Sequence, residues 1–503
     1  MSHGTTLDTS HSDASALATW GFAVALSTLG TAILWKANLG INWGVWTSCV
    51  VVAFFAVLRE RFGSVGAPSV AAGAWAVILA FGTAITSDGF RVAVLVICTI
   101  VLLAIALSTA GDSSADALRP LVALLAPFTA LGLVFAGLGS EASGSARTAR
   151  SPAVASLVRT ACITVPVVLV LVVLLAEADP IFAAARDALE HILPKDFPAR
   201  LAFFVILFGI TLGAYSSAQR GQLTVHAPAQ PEGAMLGALE RRVLLCALSS
   251  VMWLFVGSAT SSLMKNPAAI AGSGITYAEY VHRGFAELSV AATLVIGAIL
   301  VTRRSWIAAD PWSRRLAFAA IAGECGMIAI AFMRVARYEQ AYGFTAQRLY
   351  AQSYMVVLAC MSVLLVVEIA RRTQSLRFAY HSASAALAVL ALCVFFNVDA
   401  WIARENVDRY VSTGSLDAWY LTQGLSDDAL PTLAASVPRL REPERSIVVK
   451  YLRDKDGEIS ARKNESWHSW NYRRSAGARA AREFRANDIT GAATRNFQPT
   501  YSP

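Results

Sequence analysis

The sequence predicts an all-α fold: a polytopic transmembrane helical bundle of about 12 spans (range 11–13) followed by a small helical soluble C-terminal segment. Of the 503 residues, 56% are hydrophobic and only 15% are charged. Soluble domains carry about 25% charged residues because water must wet their surface. The apolar residues are gathered into runs of about 20, the length of helix that crosses a bilayer core. After residue 396 these runs give way to short amphipathic stretches.

The order of the apolar runs sets the predicted organisation of the chain. The runs lie at approximately 15–35, 39–58, 69–87, 90–108, 119–138, 160–178, 200–218, 243–262, 285–302, 315–333, 351–369 and 378–396. Short joints between several of them force antiparallel neighbours, which favours a helical bundle in lipid. The predicted domains are a polar N-terminal tail (1–14), the transmembrane domain (15–396), a soluble helical segment (397–475) and a basic, largely unstructured tail (476–503).

The charges of the chain predict its class of partner and its orientation in the membrane. The net charge is +8. In a chain rich in apolar runs, an excess of Arg is typical of loops close to the membrane, so we expect no nucleic acid partner. Loops after odd-numbered runs carry 15 Lys and Arg residues, and loops after even-numbered runs carry 11. The positive-inside rule therefore predicts a multi-pass inner-membrane protein with odd loops in the cytoplasm and the C-terminal segment outside it.

Sequence motifs for enzymatic chemistry are missing. There is no phosphate-binding loop, no H-E-x-x-H helix, no G-x-S-x-G elbow and no kinase signature. The seven histidines are scattered, and the seven cysteines all lie in apolar runs without C-x-x-C spacing. We therefore expect no catalytic residue, no metal and no cofactor.

Glu324 is an ionisable residue near the middle of an apolar run. A charge at that depth costs at least about 2.5 kcal/mol. One interpretation is an acid that couples transport to protons or cations. The other is a neutral carboxyl hydrogen-bonded to a neighbouring helix, with Gly323 and Gly326 allowing close approach. Proton pathways usually contain more than one buried acid, and the apolar runs offer no second, so the interhelical hydrogen bond is favoured.

Two loop segments, 274–285 and 334–350, are richer in Tyr, Arg and Glu than ordinary connectors. At helical spacing Arg334, Tyr338 and Tyr342 share a face. An aromatic belt at the membrane interface, with Arg side chains reaching to the headgroups, explains much of this pattern. It explains less well the carboxylates Glu279 and Glu339 in the same segments.

Counting crossings places these segments on the membrane face that carries the C-terminal segment. The residues predicted to bind a ligand or partner there are Tyr280, Arg283, Arg334, Tyr338, Tyr342, Arg348, Arg404 and Arg409. Arg and Tyr together suit a polar partner, an anionic ligand or a lipid headgroup. The alternative is a packing site that only docks the C-terminal segment on the bundle.

Stretches 276–285, 337–350 and 397–406 resemble a bacterial multi-pass membrane family, a domain of unknown function numbered 4173, which has a sister family numbered 4153. Asp179–Phe182 and Trp467–Asn471 also fit that pattern, so the resemblance covers most of residues 150–475. It implies a multi-pass protein of the bacterial inner membrane and implies no activity.

Two functions from different classes follow as hypotheses. The first is a non-enzymatic envelope protein that binds an envelope protein partner or an anionic ligand on the face of its C-terminal segment, in sensing, regulation or assembly. The alternative is a secondary transporter that uses Glu324, which a second buried ionisable group or inverted repeats would favour. A membrane enzyme acting on lipid or glycan ranks third.

Overall fold

The computed structural model describes residues 7–63, 65–109, 196–219, 238–263, 292–293, 295–300, 310–372, 377–461 and 467–489. Helix is the only regular secondary structure in these ranges, which confirms the all-α class. The α-helices of the described residues are numbered here in chain order. They are α1 (Leu7–Leu34), α2 (Ile41–Phe62), α3 (Ala67–Gly82), α4 (Gly89–Ser108), α5 (Phe197–Gln219), α6 (Ala238–Leu263), α7 (Pro311–Tyr342), α8 (Ala346–Arg371), α9 (Arg377–Phe395), α10 (Val398–Thr413), α11 (Leu430–Ser436), α12 (Glu444–Ala461) and α13 (Tyr472–Ile489).

Several of these helices have the length and composition of membrane spans. Among the described residues, 5 helices are long and apolar enough to cross a membrane, or up to 6 if the pair Tyr380–Phe395 and Val398–Thr413, bent by 62°, forms one span. They are consistent with a membrane protein. The predicted count of about 12 is not confirmed, because runs 119–138 and 160–178 and most of 285–302 lie outside the described residues. Each of the other predicted runs coincides with a helix from α1 to α9.

The described residues form two compact units. The first contains α1 to α5 and the segment 467–472. In it α1 packs against α2 and α5, and α3 packs against α2 and α4. A Cβ atom on Gly30 would lie 2.6 Å from Trp46 Nε1 and 2.7 Å from Leu207 Cδ1, so only glycine lets α1 approach its neighbours this closely. Small residues at helix contacts are typical of bundles in lipid.

The second unit contains α6 to α12, α13 from Arg473 onward, and the short segment Thr86–Asp88. In it α7 packs against α6 and α8, around a core that includes Leu245, Ile321 and Leu365. Helix α7 begins where Asp310 accepts hydrogen bonds from the backbone N–H groups of Trp312 and Ser313. The guanidinium of Arg242, at 3.0 Å, holds the pKa of Asp310 well below its usual range.

The C-terminal module, defined as α10 to α12 and α13 from Arg473, has a hydrophobic core of its own. Its centre includes Ile402, Val407, Leu430, Val448 and Phe484. Both ends of α10 have residues that favour helix ends. Asn397 accepts from the Ala400 N–H, and Gly414 adopts the left-handed conformation with φ 71°. That the module is soluble remains a prediction.

Helix α13 extends further than the sequence predicted. Residues 476–489, assigned to an unstructured tail, are helical, and Ile489 ends the helix. Alanine and arginine, which favour helix, are frequent in this stretch, and Phe484 is buried in the module core. Residues 490–503 of the predicted tail lie outside the described residues.

Hydrogen bonds in the second unit attach two loops to the module. Asp428, beside α11, accepts from Thr86 Oγ1 at 2.9 Å and from the Ser87 N–H at 2.8 Å. Phe344, in the turn between α7 and α8, is hydrogen-bonded to Asn406 of α10. Segments 86–88 and 343–345 are therefore both hydrogen-bonded to the module.

The predicted topology requires these two loops to lie on opposite faces, since they follow the third and the tenth apolar runs. Hydrogen bonding of both loops to the same module does not fit that expectation. The placement of the C-terminal segment outside the cytoplasm remains a prediction.

Cysteine labelling in intact cells tests this topology. In a variant whose seven native cysteines are replaced, Gly89→Cys and Gln347→Cys should react with a membrane-impermeant maleimide from the same side. Arg404→Cys, in the module, should label from that side too, because both loops are hydrogen-bonded to the module. Labelling of Gly89→Cys and Gln347→Cys from opposite sides would restore the predicted topology.

Candidate functional site

The joint between α7, α8 and α10 contains most of the described residues that the sequence predicted as a site. Asn406 Oδ1 accepts from the Phe344 N–H at 2.8 Å, and Asn406 Nδ2 donates to the Phe344 carbonyl at 2.9 Å. The Ala346 N–H donates to the Tyr420 hydroxyl oxygen at 2.8 Å. Burial raises the pKa of Tyr420, so its phenol stays protonated at neutral pH. Both partners of the turn come from the module.

Gly343 makes this close contact between the turn and α10 feasible. Its φ of 86° is unfavourable for other residues, and an added Cβ would lie 2.4 Å from Asn406 Oδ1. The same Cβ would lie 3.5 Å from Arg409 Nε, so the Arg409 side chain reaches the turn as well.

Aromatic and cationic groups stack beside the turn. The Arg348 guanidinium lies 4.3 Å from the centre of the Tyr338 ring, and it donates a hydrogen bond to the Gly343 carbonyl. The rings of Tyr338 and Tyr342 are 4.6 Å apart. Tyr338 is buried, whereas Tyr342 is 51% exposed, so the stack leads from the protein interior to the surface.

Glu339, which the aromatic belt did not explain, lies buried between α7 and α8. Its Oε2 accepts from Gln352 Nε2 at 2.8 Å, and Arg348 lies within electrostatic range. Its Oε1 is buried and has no hydrogen-bond partner among the described residues. Glu339 thus links the two helices and retains one unused acceptor atom.

The three remaining described arginines have different environments. Arg409 Nε is buried without a hydrogen-bond partner among the described residues, although Nη1 lies 3.5 Å from Thr413 Oγ1. Arg404 is on another face of α10, with its side chain 73% exposed and 3.8 Å from Asp408. Arg334 faces Phe255 of α6, with its guanidinium 5.9 Å from the ring centre.

The structure therefore brings Tyr338, Tyr342, Arg348 and Arg409 to one joint and places Arg334 and Arg404 elsewhere. Tyr280 and Arg283 lie outside the described residues. Sequence reasoning missed Asn406, Gln352 and Tyr420. A signal existed for Asn406, because it lies on the apolar face of α10, next to Val407, and a polar residue there needs a hydrogen-bond partner.

Glu324, the predicted intramembrane acid, is fully buried in α7. Ser362 Oγ of α8 donates to its Oε1 at 3.2 Å, while Oε2 has no partner among the described residues. A Cβ on Gly323 would lie 2.8 Å from Met252 Cβ of α6, and one on Gly326 would lie 3.1 Å from Val256. The glycines thus allow close packing of α7 on α6.

The expectation that the sequence contains no second buried acid is wrong. Glu339 and Glu368 are also buried. Both lie near a helix end, where the hydropathy of the sequence does not show whether a residue is buried. Their burial depends on the neighbouring elements that pack against them. Within the described ranges, no three His, Cys, Asp or Glu side chains are grouped closely enough to hold a metal ion.

The described helices are consistent with a membrane protein, and no reaction centre is identified among the described residues. The model of one protein family, described as a domain of unknown function (DUF4153), matches residues 70–436, and the chain belongs to that family. This is the family numbered 4153, named above as the sister; the resemblance to 4173 is not confirmed. The match begins inside α3, earlier than the resemblance predicted. No similar protein was found among curated proteins, and no similar fold among solved structures.

Substitution of Glu324 tests the interhelical hydrogen bond. Glu324→Gln should keep the melting temperature of the purified protein, since the amide oxygen can still accept from Ser362. Glu324→Ala should destabilise the protein by about 2–4 kcal/mol, because it leaves a cavity and an unpaired hydroxyl. Equal destabilisation by both variants would show that the carboxyl does more than accept this hydrogen bond.

Proposed function

We propose that this protein is a non-enzymatic protein of the bacterial inner membrane that binds an anionic partner or ligand at the joint between its membrane helices and its C-terminal module. The role belongs to sensing, regulation or assembly. In this proposal the membrane domain has about 12 spans, the module is exposed to water, and the joint connects the two.

The proposal rests on one observation: the buried Nε of Arg409 has no hydrogen-bond partner among the described residues. Docking of the module on the turn is already provided by Asn406 and Tyr420, which satisfy the backbone of Phe344 and Ala346. Arg409 reaches the same turn, yet its buried Nε has no partner among the described residues. A buried donor of this kind costs about 1–3 kcal/mol, which a bound carboxylate or phosphate would recover.

The neighbouring side chains support recognition at this place. Tyr342 is half exposed and packs against Tyr338, whose ring also contacts the Arg348 guanidinium. Tyr and Arg supply much of the binding energy at protein interfaces, since they combine apolar area with strong hydrogen bonds. Phe344, Ala346 and Leu349 pack against the module core, so a ligand at the joint would act on both the module and α7–α8.

Transport is the second candidate, because Glu324 Oε2 and Glu339 Oε1 are both buried acceptors without a partner among the described residues. The two residues lie on one helix, about 22 Å apart at 1.5 Å per residue. Apolar core residues of α7, among them Met327, Ala331 and Val335, lie between them. A proton or cation would therefore need a rearrangement of α7 to pass from one carboxyl to the other.

Photo-crosslinking from position 342 tests the proposed function. Benzoylphenylalanine in place of Tyr342 should give a discrete adduct in intact cells. Arg409→Gln should reduce that adduct about tenfold or more, because a charge-assisted hydrogen bond contributes about 1.5–3 kcal/mol.

Arg404→Gln is the matched control, since Arg404 lies on the same helix and its ion pair with Asp408 is exposed. It should leave the adduct unchanged. Gel filtration and helical content of the Arg409 variant should match those of the parent protein. An adduct that persists in Arg409→Gln would show that Arg409 does not bind the partner, and the absence of any adduct in the parent protein would leave the joint as a packing site only.

A further inference from the structure

The segment Trp467–Tyr472 alternates exposed aromatic residues with buried polar ones. Trp467 is 80% exposed, Trp470 46% and Tyr472 55%, while Ser469 and Asn471 are buried. Large apolar side chains so exposed on a short segment indicate a surface that contacts something other than water.

The segment is fixed to the ends of two membrane helices within the first unit. The Trp470 carbonyl accepts from the N–H of Ile41, the first residue of α2, at 3.0 Å. The Tyr472 N–H donates to the Ala84 carbonyl, just beyond α3, at 2.7 Å. Asn471 Nδ2 donates to the Thr83 carbonyl at 2.8 Å. These bonds set the depth of the segment relative to both helices.

Gly40 permits this close contact. An added Cβ would lie 2.4 Å from the Trp470 carbonyl oxygen and 2.7 Å from that of Ser469. Both obstacles are backbone atoms, which cannot rotate away as a flexible side chain can. A residue larger than glycine at position 40 must therefore push the segment off the helix ends.

The segment lies at the end of a helix that has the composition of a membrane span. The apolar window of α2 begins at Ile41, and its hydropathy is that of a membrane span. The adjoining helix end carries residues typical of the same depth: Trp35 follows α1, and Lys36 Nζ lies 6.0 Å from its ring centre. Trp, Tyr and Lys concentrate at the membrane–water interface, where the ring contacts acyl chains and the polar end contacts headgroups.

We propose that Trp467, Trp470 and Tyr472 lie in the lipid headgroup layer, so that the segment is a lipid-contacting rim of the membrane domain. The sequence assigned these residues to a soluble segment. A headgroup location accounts for their exposure, because an indole keeps its N–H hydrogen-bonded there while its ring leaves water. The occupant of this surface is phospholipid.

Spin labels measure this depth. The full-length protein, with its native cysteines replaced, is reconstituted in phosphatidylethanolamine–phosphatidylglycerol nanodiscs and labelled at Trp467→Cys or Trp470→Cys, one site at a time. Power saturation should give a ratio of oxygen collisions to collisions with a water-soluble nickel chelate that matches that of lipids labelled at the headgroup. A label at Trp419→Cys, at an exposed module position, is the reference and should give a lower ratio.

Two results would overturn the proposal. One is a Trp467 label as accessible to the nickel chelate as the Trp419 label, which indicates water; the other is a label shielded from both reagents, which indicates protein. Gly40→Ala should move the 467 and 470 labels toward the nickel chelate, whereas Gly209→Ala, whose added Cβ has no neighbour within 4 Å, should not. Unchanged labels in Gly40→Ala would contradict fixation to the helix ends.

Discussion

The buried carboxylate of Asp428 is the constraint that positions the C-terminal module. Its side chain is fully buried, and its partners come from two segments distant in sequence: Thr86 and Ser87 on one side, and Arg473 Nη1 at 3.2 Å on the other. Arg473 also donates to the Phe395 carbonyl at the end of α9, at 2.8 Å. A buried charge is tolerated only when such partners compensate its lost hydration, so these segments must assemble together.

A second attachment, at the turn between α7 and α8, uses neutral groups instead. Asn406 and Tyr420 satisfy the backbone of the turn, and the charged groups Arg348 and Arg409 lie beside it without forming an ion pair in the described residues. The difference matters for function. At Asp428 the carboxylate is paired with Arg473. Beside the turn, Arg409 Nε and Glu339 Oε1 have no hydrogen-bond partner among the described residues, and the binding site is proposed there for that reason.

Local features of this structure were predictable from the sequence, and long-range ones were not. Twenty-residue apolar runs predict helices, and Asn397 and Gly414 predict the ends of α10, because each depends on neighbours within a few residues. Helical spacing placed Tyr338 beside Tyr342, but it could not show that Arg334 faces α6 or that Arg404 faces water. The partners of Asp428, one of them 342 residues away, have no local signal.

A double-mutant cycle on Asp428 and Arg473 tests most directly whether this ion pair holds the module. Unfolding free energies would be measured in detergent for Asp428→Asn, Arg473→Gln and the double variant. Each single variant should lose about 3–5 kcal/mol, since it leaves a buried partner uncompensated. The double variant should lose less than the sum, with a coupling above about 1 kcal/mol. Additive losses, or single losses below about 0.5 kcal/mol, would show that the module is held by other contacts.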